Sequence, residues 1–137
     1  MAASKLRVEI RTDLDVVAVR GEGRSLAREI GFSATEVTLV ATAISEVARN
    51  ILTHAGSGEV TLSLVERDGL RGIKVVAEDR GPGIPDVQAA LQDGYTTGQG
   101  MGVGLPGARR LMDDFKVETE VGAGTTVTMV KWEALGG

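Results

Sequence analysis

Cysteine is absent from the 137 residues, which excludes disulfides, thiolate nucleophiles and cysteine-type structural zinc, and fits a reducing cytoplasm. Histidine occurs once, at His54, so a zinc site or a Ser-His-Asp triad has little to build on. Only four residues are aromatic, leaving little surface on which bases could stack. Basic residues are outnumbered, and a net charge of -4 with a pI near 5.0 opposes a nucleic-acid partner, which would want a basic face. No apolar run has the length needed to cross a bilayer, and MAASKLRVEI carries no signal-peptide core, so neither membrane nor export is expected. What remains is a soluble, cytoplasmic globular protein, 42% hydrophobic and 25% charged, of a length that suits one domain over residues 1–137.

The first segment alternates Lys5, Arg7 and Glu9 with Leu6, Val8 and Ile10, the period of a half-buried strand. A helix should follow from the polar start at Thr12 to Asp15, with Leu14, Val17, Ala18, Leu26 and Ile30 as its apolar face, weakened by Gly21 and Gly23 and ended by Gly31. Ser33 and Glu36 have capping-box spacing and open the strongest helical pattern, with Val37, Val40, Ile44, Val47 and Ile51 on one face as far as about Ala55. Gly56 and Gly58 stop it. Two strands are predicted next, 59–66 and around Ile73 to Ala77, joined by an Arg67-Asp68-Gly69 turn; the second is apolar on both faces and therefore central. Leu105, Ala108, Leu111, Met112 and Phe115 return to helical spacing, with Pro106 in the first turn. The last two strands, 116–121 and 125–132, form a hairpin about Gly122-Ala123-Gly124. This order implies helices on one face of a mostly antiparallel sheet.

Three stretches could carry chemistry. Glu46 and Asn50 lie one helical turn apart, a carboxylate able to take a proton beside a carboxamide oxygen able to ligate a hard cation. A solvated helix acid paired with Arg49 is the plainer alternative. Asp79 ends the central strand and Gly81 and Gly83 follow at once; the acid could accept a hydrogen bond from an exocyclic amine such as that of adenine, or could simply make a turn. Eight of the 19 glycines fall between Gly81 and Gly107. Their densest run, GQGMGVGLPG, leads into a helix N-terminus, where free backbone N–H groups bind phosphate. Gly102, Gly104 and Gly107 also satisfy G-x-G-x-x-G, but DGYTTGQG supplies no apolar strand ahead of the first glycine, so a dinucleotide fold is rejected.

Taken in order, E-x-x-R-N at Glu46 to Asn50, D-x-G-x-G at Asp79 to Gly83, G-x-G-x-G at Gly100 to Gly104 and a closing Gly124-Thr125 resemble one family. It is the nucleotide-binding domain shared by gyrase-type topoisomerases, heat-shock chaperones, mismatch-repair proteins and histidine kinases, the GHKL superfamily. Within it, "AISEVARNI", "EDRGPGIPD" and "GMGVGLPGARRLMDDF" look most like the serine/threonine switch kinases of the RsbT type. The resemblance implies an α+β fold, a two-layer α/β sandwich of the GHKL (Bergerat) ATP-binding type with helices on one face of a mixed, mostly antiparallel sheet. It implies ATP and Mg²⁺, with Glu46 as the base that activates the acceptor hydroxyl and Asn50 as the Mg²⁺ ligand. Asp79 would bind the adenine amine, with Gly81, Gly83 and Ile84 beside the ring. Gly98, Gly100, Met101, Gly102, Val103, Gly104 and Leu105 would form the phosphate lid, and Thr125 would close the adenine pocket. Implied partners are an RsbS-like STAS-domain antagonist as substrate and an RsbU-like phosphatase activated by partner switching in stress signalling. Sibling RsbW and SpoIIAB kinases bind a sigma factor directly, and a homodimer is compatible with the group. A nucleotide-binding regulatory module without transferase activity is the alternative from another class.

Overall fold

The computed structural model describes residues 5–83 and 104–133. In chain order they form β1 (Lys5–Ile10), α1 (Asp13–Glu29), α2 (Ala34–His54), β2 (Gly58–Arg67), β3 (Leu70–Asp79), α3 (Gly104–Leu111), β4 (Asp114–Glu120) and β5 (Gly124–Trp132). The strands make one sheet in the order β1-β2-β3-β5-β4. Every pairing among the described strands is antiparallel, so the mixed sheet expected from the resemblance is corrected to a uniformly antiparallel one.

Register explains the two layers. Val60, Ala77, Val127 and Val117 stand opposite one another across four strands, as do Leu62, Val75, Met129 and Phe115 in the next row of the same face. Both rows join one core with Val37, Val40, Ile44, Val47 and Ile51 of α2. Each such aliphatic side chain contributes about 1.5–3 kcal/mol when fully buried. The alternate row, Arg7, Thr61, Val76, Thr128 and Lys116, lies on the other face of the sheet, away from the helices. Between β2 and β3, Asp68 and Gly69 have φ of 53° and 81°, the two positive angles of a type I′ turn, which matches the twist of the strands it joins.

Helix α2 starts as its sequence dictates. The Ser33 hydroxyl accepts from the Glu36 backbone N–H at 3.1 Å, and the Glu36 carboxylate accepts from the Ser33 N–H at 2.9 Å. At the start of α1 the Asp15 carboxylate plays the equivalent part, accepting from the backbone N–H groups of Arg11 at 2.8 Å and Thr12 at 3.0 Å. These bonds favour the ionised form and hold the Asp15 pKa below the ordinary carboxylate value.

Two sequence expectations are overturned. The buried face of α1 is Val16, Val19, Gly23 and Ala27, whereas Leu14 and Val17 are 78% and 51% exposed. Gly23 decides the matter: a Cβ there would run into the Cδ1 of Ile44, so the residue that seemed a weak point is where α1 approaches α2. Likewise Phe115 does not extend the third helix. α3 ends at Leu111, and the chain is redirected because the Asp113 N–H donates to the Val130 carbonyl while its carboxylate accepts from the Trp132 N–H. Nearby, the Trp132 indole donates to Asp114 at 2.8 Å and the Arg67 guanidinium lies 4.4 Å from the centre of its ring. This cluster closes the end of the sheet remote from Asp79.

Candidate functional site

Asp79 is the last residue of β3, set between Gly58 of β2 and Thr125 of β5. A Cβ on Gly58 would lie 2.9 Å from Cγ2 of Ile51 and 3.2 Å from Cβ of Asp79, so glycine at this point lets the end of β3 come up against α2. Asn50 immediately precedes Ile51, and Glu46 is one turn earlier on the same stripe. Ile51, the residue after Asn50, is thereby set against the end of the sheet that carries Asp79.

Each of these side chains has a distinct setting. Glu46 does form the expected pair with Arg49, Oε2 to Nη1 at 3.6 Å, but its side chain is only 12% exposed while that of Arg49 is 54% exposed. It is therefore not a solvated helix acid. Asp79 makes the turn that the plainer reading foresaw, its Oδ1 accepting from the Gly81 N–H at 2.9 Å. That bond fixes the carboxyl plane and uses one oxygen; the other makes no hydrogen bond among the described residues. Thr125 is 8% exposed, and its Oγ1 lies 3.0 Å from Oγ1 of Thr119. Its place directly opposite Asp79, on the same face of the sheet, puts a hydroxyl beside the carboxylate. Asp79 also borders two clefts, of about 360 and 320 Å³, one running toward Glu59 and Glu78 and the other along the Thr119–Thr125 side.

The glycines after Asp79 are set by backbone crowding. A Cβ on Gly81 would stand 2.6 Å from Cβ of Ala55 and 3.2 Å from the His54 carbonyl oxygen, at the end of α2. Gly83, with φ of +80°, would bring its Cβ to 2.6 Å from the Glu120 carbonyl oxygen. The Gly122 N–H donates to the Pro82 carbonyl at 2.8 Å, tying this segment to the β4–β5 hairpin. Gly124, φ +136°, closes the seam, since a Cβ there would strike the Asp79 carbonyl oxygen. That role for Gly124 was missed in the sequence; the G-A-G spacing of the hairpin was its available sign.

Of the expected phosphate lid, α3 begins at Gly104, the last glycine of its motif, and Leu105 is buried in the core beside Ala108 and Met112. Ile84, Gly98, Gly100, Met101, Gly102 and Val103 lie outside the described residues. His54 closes the last turn of α2, as expected of a cation-capable side chain at a helix C-terminus. No group of three or more metal-ligating side chains occurs among the described residues. A helix long and apolar enough to cross a membrane is also lacking among them.

Residues 10–131 match the histidine kinase-like ATPase domain family. The chain is 46% identical to the serine/threonine-protein kinase RsbT of Bacillus subtilis, over 91% of this chain and 94% of that one. It is 31% identical to the anti-sigma F factor of Geobacillus stearothermophilus, over 83% of this chain and 87% of the relative. In fold it resembles the RsbU and RsbW domains of a Mycobacterium tuberculosis protein, with a TM-score of 0.63 at 20% identity, covering 96% of this chain and 32% of that longer one. The catalytic domain of the histidine kinase ThkA gives a TM-score of 0.52 at 14% identity, covering 96% and 95%.

Proposed function

The chain belongs to the histidine kinase-like ATPase domain family, and we propose that it is an ATP-dependent serine/threonine-protein kinase whose acceptor is a small STAS-domain protein. The observation that supports this reading is the order of four motif residues along the chain, together with the approach of the end of α2 to the Asp79 end of β3. Glu46 and Asn50 come from α2, Asp79 from the end of β3 and Thr125 from β5. In this role the second carboxylate oxygen of Asp79 accepts a hydrogen bond from the adenine amine, and its turn with Gly81 keeps that oxygen oriented. Glu46, screened from water but held beside Arg49, takes the proton of the acceptor hydroxyl.

Asn50 fits Mg²⁺ in donor chemistry, because its carboxamide offers a hard oxygen and this ion is commonly held by one or two protein ligands together with phosphates and waters. When bound, the ion would neutralise charge on the phosphates. The start of α3 at Gly104 sets N–H groups and the positive end of a helix dipole directly after the glycine-rich run, suited to anionic oxygens. Phosphoryl transfer asks mainly for positioning and charge neutralisation, and this set of residues can provide both.

The kinase would then act by partner switching, leaving its phosphorylated antagonist to bind and activate an RsbU-like phosphatase. Similarity to the anti-sigma F factor supports a second reading, in which the output partner is a sigma factor held directly. Incubation with labelled ATP, Mg²⁺ and a STAS-domain protein from the same genome tests the activity. Phosphoserine on the acceptor is the expected product. Its absence under conditions where ATP binds would leave a nucleotide-binding regulatory module instead.

A further inference from the structure

At the Asp79 end of the sheet, one cross-strand row carries three polar side chains in succession. Asp79 stands opposite Thr125, and Thr125 stands opposite Thr119 of β4. Each lies two residues from Ala77, Val127 or Val117, so all three are on the helix-bearing face. Asp79 and Thr125 were read from motifs, whereas Thr119 belongs to none of them. The Thr119 hydroxyl lies 3.0 Å from the Gly124 carbonyl oxygen and 3.0 Å from the Thr125 hydroxyl oxygen. A hydroxyl has one proton and two lone pairs, while a carbonyl oxygen only accepts. The Thr119 proton is therefore committed to Gly124, and the contact between the two threonines is made with Thr125 as the donor. Gly124 is itself held by backbone, because its approach to the Asp79 carbonyl oxygen leaves no room for a Cβ. With Thr125 buried, bulk water does not compete for its proton.

Resting on the reading of Asp79 and Thr125 as the base-binding pair, we propose that Thr119 is a positioning residue for base selection. By taking the Thr125 proton it leaves Thr125 only lone pairs to offer a ligand, so the pair admits a 6-aminopurine and rejects a 6-oxopurine. Asp79 alone does not make that choice. Its second carboxylate oxygen can accept from the amine of adenine, or equally from the N1–H of a 6-oxopurine. A neighbouring acceptor does discriminate, since it meets a further amine hydrogen in the first case and the lone pairs of O6 in the second. Two acceptors facing each other in a buried site are both left unsatisfied, a penalty that a hydroxyl free to reverse would avoid. Thr119 prevents that reversal.

Cross-strand threonine pairs also steady a sheet, so the test reads a ratio of affinities that stability alone does not move. ATP and inosine triphosphate, which carries oxygen in place of the amine, are titrated calorimetrically against the full chain with Mg²⁺. The parent should prefer ATP by about 30-fold, the effect of one unmet buried acceptor. Thr119→Val keeps the branched shape suited to a strand but frees the Thr125 proton. Affinity for inosine triphosphate should rise, bringing the two nucleotides to within about threefold. Thr119→Ser retains the hydroxyl and should keep the parent's ratio. Thr125→Val removes the acceptor altogether and should narrow the ratio from the other side, by weakening ATP. A Thr119→Val chain that loses affinity for both nucleotides in equal proportion, or a Thr119→Ser chain whose preference collapses as well, would overturn the proposal. A parent that binds the two nucleotides alike would overturn it too, with the base-binding reading left standing. A parent that binds neither would overturn that reading and the proposal with it.

Discussion

Gly81→Ala is the sharpest test of how the site is held. The new methyl would lie 2.6 Å from Cβ of Ala55 and 3.0 Å from its Cα, against the backbone at the end of α2 rather than a flexible side-chain tip. Restoring an ordinary contact of about 3.6 Å requires a shift of about 1 Å. Overpacking of this kind costs about 1–3 kcal/mol, equivalent to a Tm lower by about 3–10 °C for a chain of this size. The shift does not stop at the methyl, because the Gly81 N–H is the group that orients the Asp79 carboxylate. ATP affinity should therefore fall with stability, by about tenfold for each 1.4 kcal/mol of lost orientation. Thermal unfolding and nucleotide titration of Gly81→Ala, Ala55→Gly and the double variant form a closed cycle. Removing the Ala55 methyl should recover part of the loss, giving a coupling energy above about 0.5 kcal/mol. Additive effects in that cycle, or a Gly81→Ala chain as stable as the parent, would refute the crowding account of this glycine.

Three further outcomes are expected. Glu46→Gln should retain ATP binding and lose most phosphoryl transfer, whereas Asp79→Asn should weaken ATP binding itself; equal affinity losses would contradict the division of labour. Ser33→Ala should lower stability by about 1 kcal/mol through loss of the α2 cap, readable by urea denaturation. Asp15→Ala should destabilise the chain at neutral pH, with the deficit shrinking in acid. The folded-state pKa of Asp15 is lowered, so its contribution is present above the unfolded pKa and disappears as pH falls through the folded one. Unfolding curves across the acid range that keep a constant deficit would contradict this.

Where a sequence pattern had one interpretation, the fold was legible. α2 shows a single broad apolar face and a capping box, and both are found in place. β3, with Val76 apolar on the face opposite Ile73, Val75 and Ala77, sits at the centre of the sheet. In α1 two faces competed, and larger side chains favoured the wrong one: a glycine gives no hydrophobic signal, although Gly23 lies where two helices meet closely. The helical period through Phe115 failed for another reason. Hydrogen bonds that the Asp113 and Asp114 carboxylates accept from Trp132 of β5 draw the chain into a strand, and such long-range partners leave no local mark. Among the candidate site residues, Glu46, Asn50, Asp79 and Thr125 were read from motif order; the structure sets Asp79 opposite Thr125 and brings the end of β3 against α2. The reason Gly81 and Gly83 must be glycine was not legible, because it lies in the backbone of α2 and of the β4–β5 hairpin.

The cluster around Trp132 gives the molecule a built-in pair of viewpoints. Trp132 stands opposite Gly72 at one end of β3, while Asp79 ends the other, seven residues and about 23 Å away. Its indole is the chain's only tryptophan, pinned by Asp114 and covered by Arg67. Emission from it should follow unfolding of the sheet and stay indifferent to nucleotide. A fluorescent ATP analogue would watch the opposite end, so fold and ligand can be read separately in one unlabelled sample of protein.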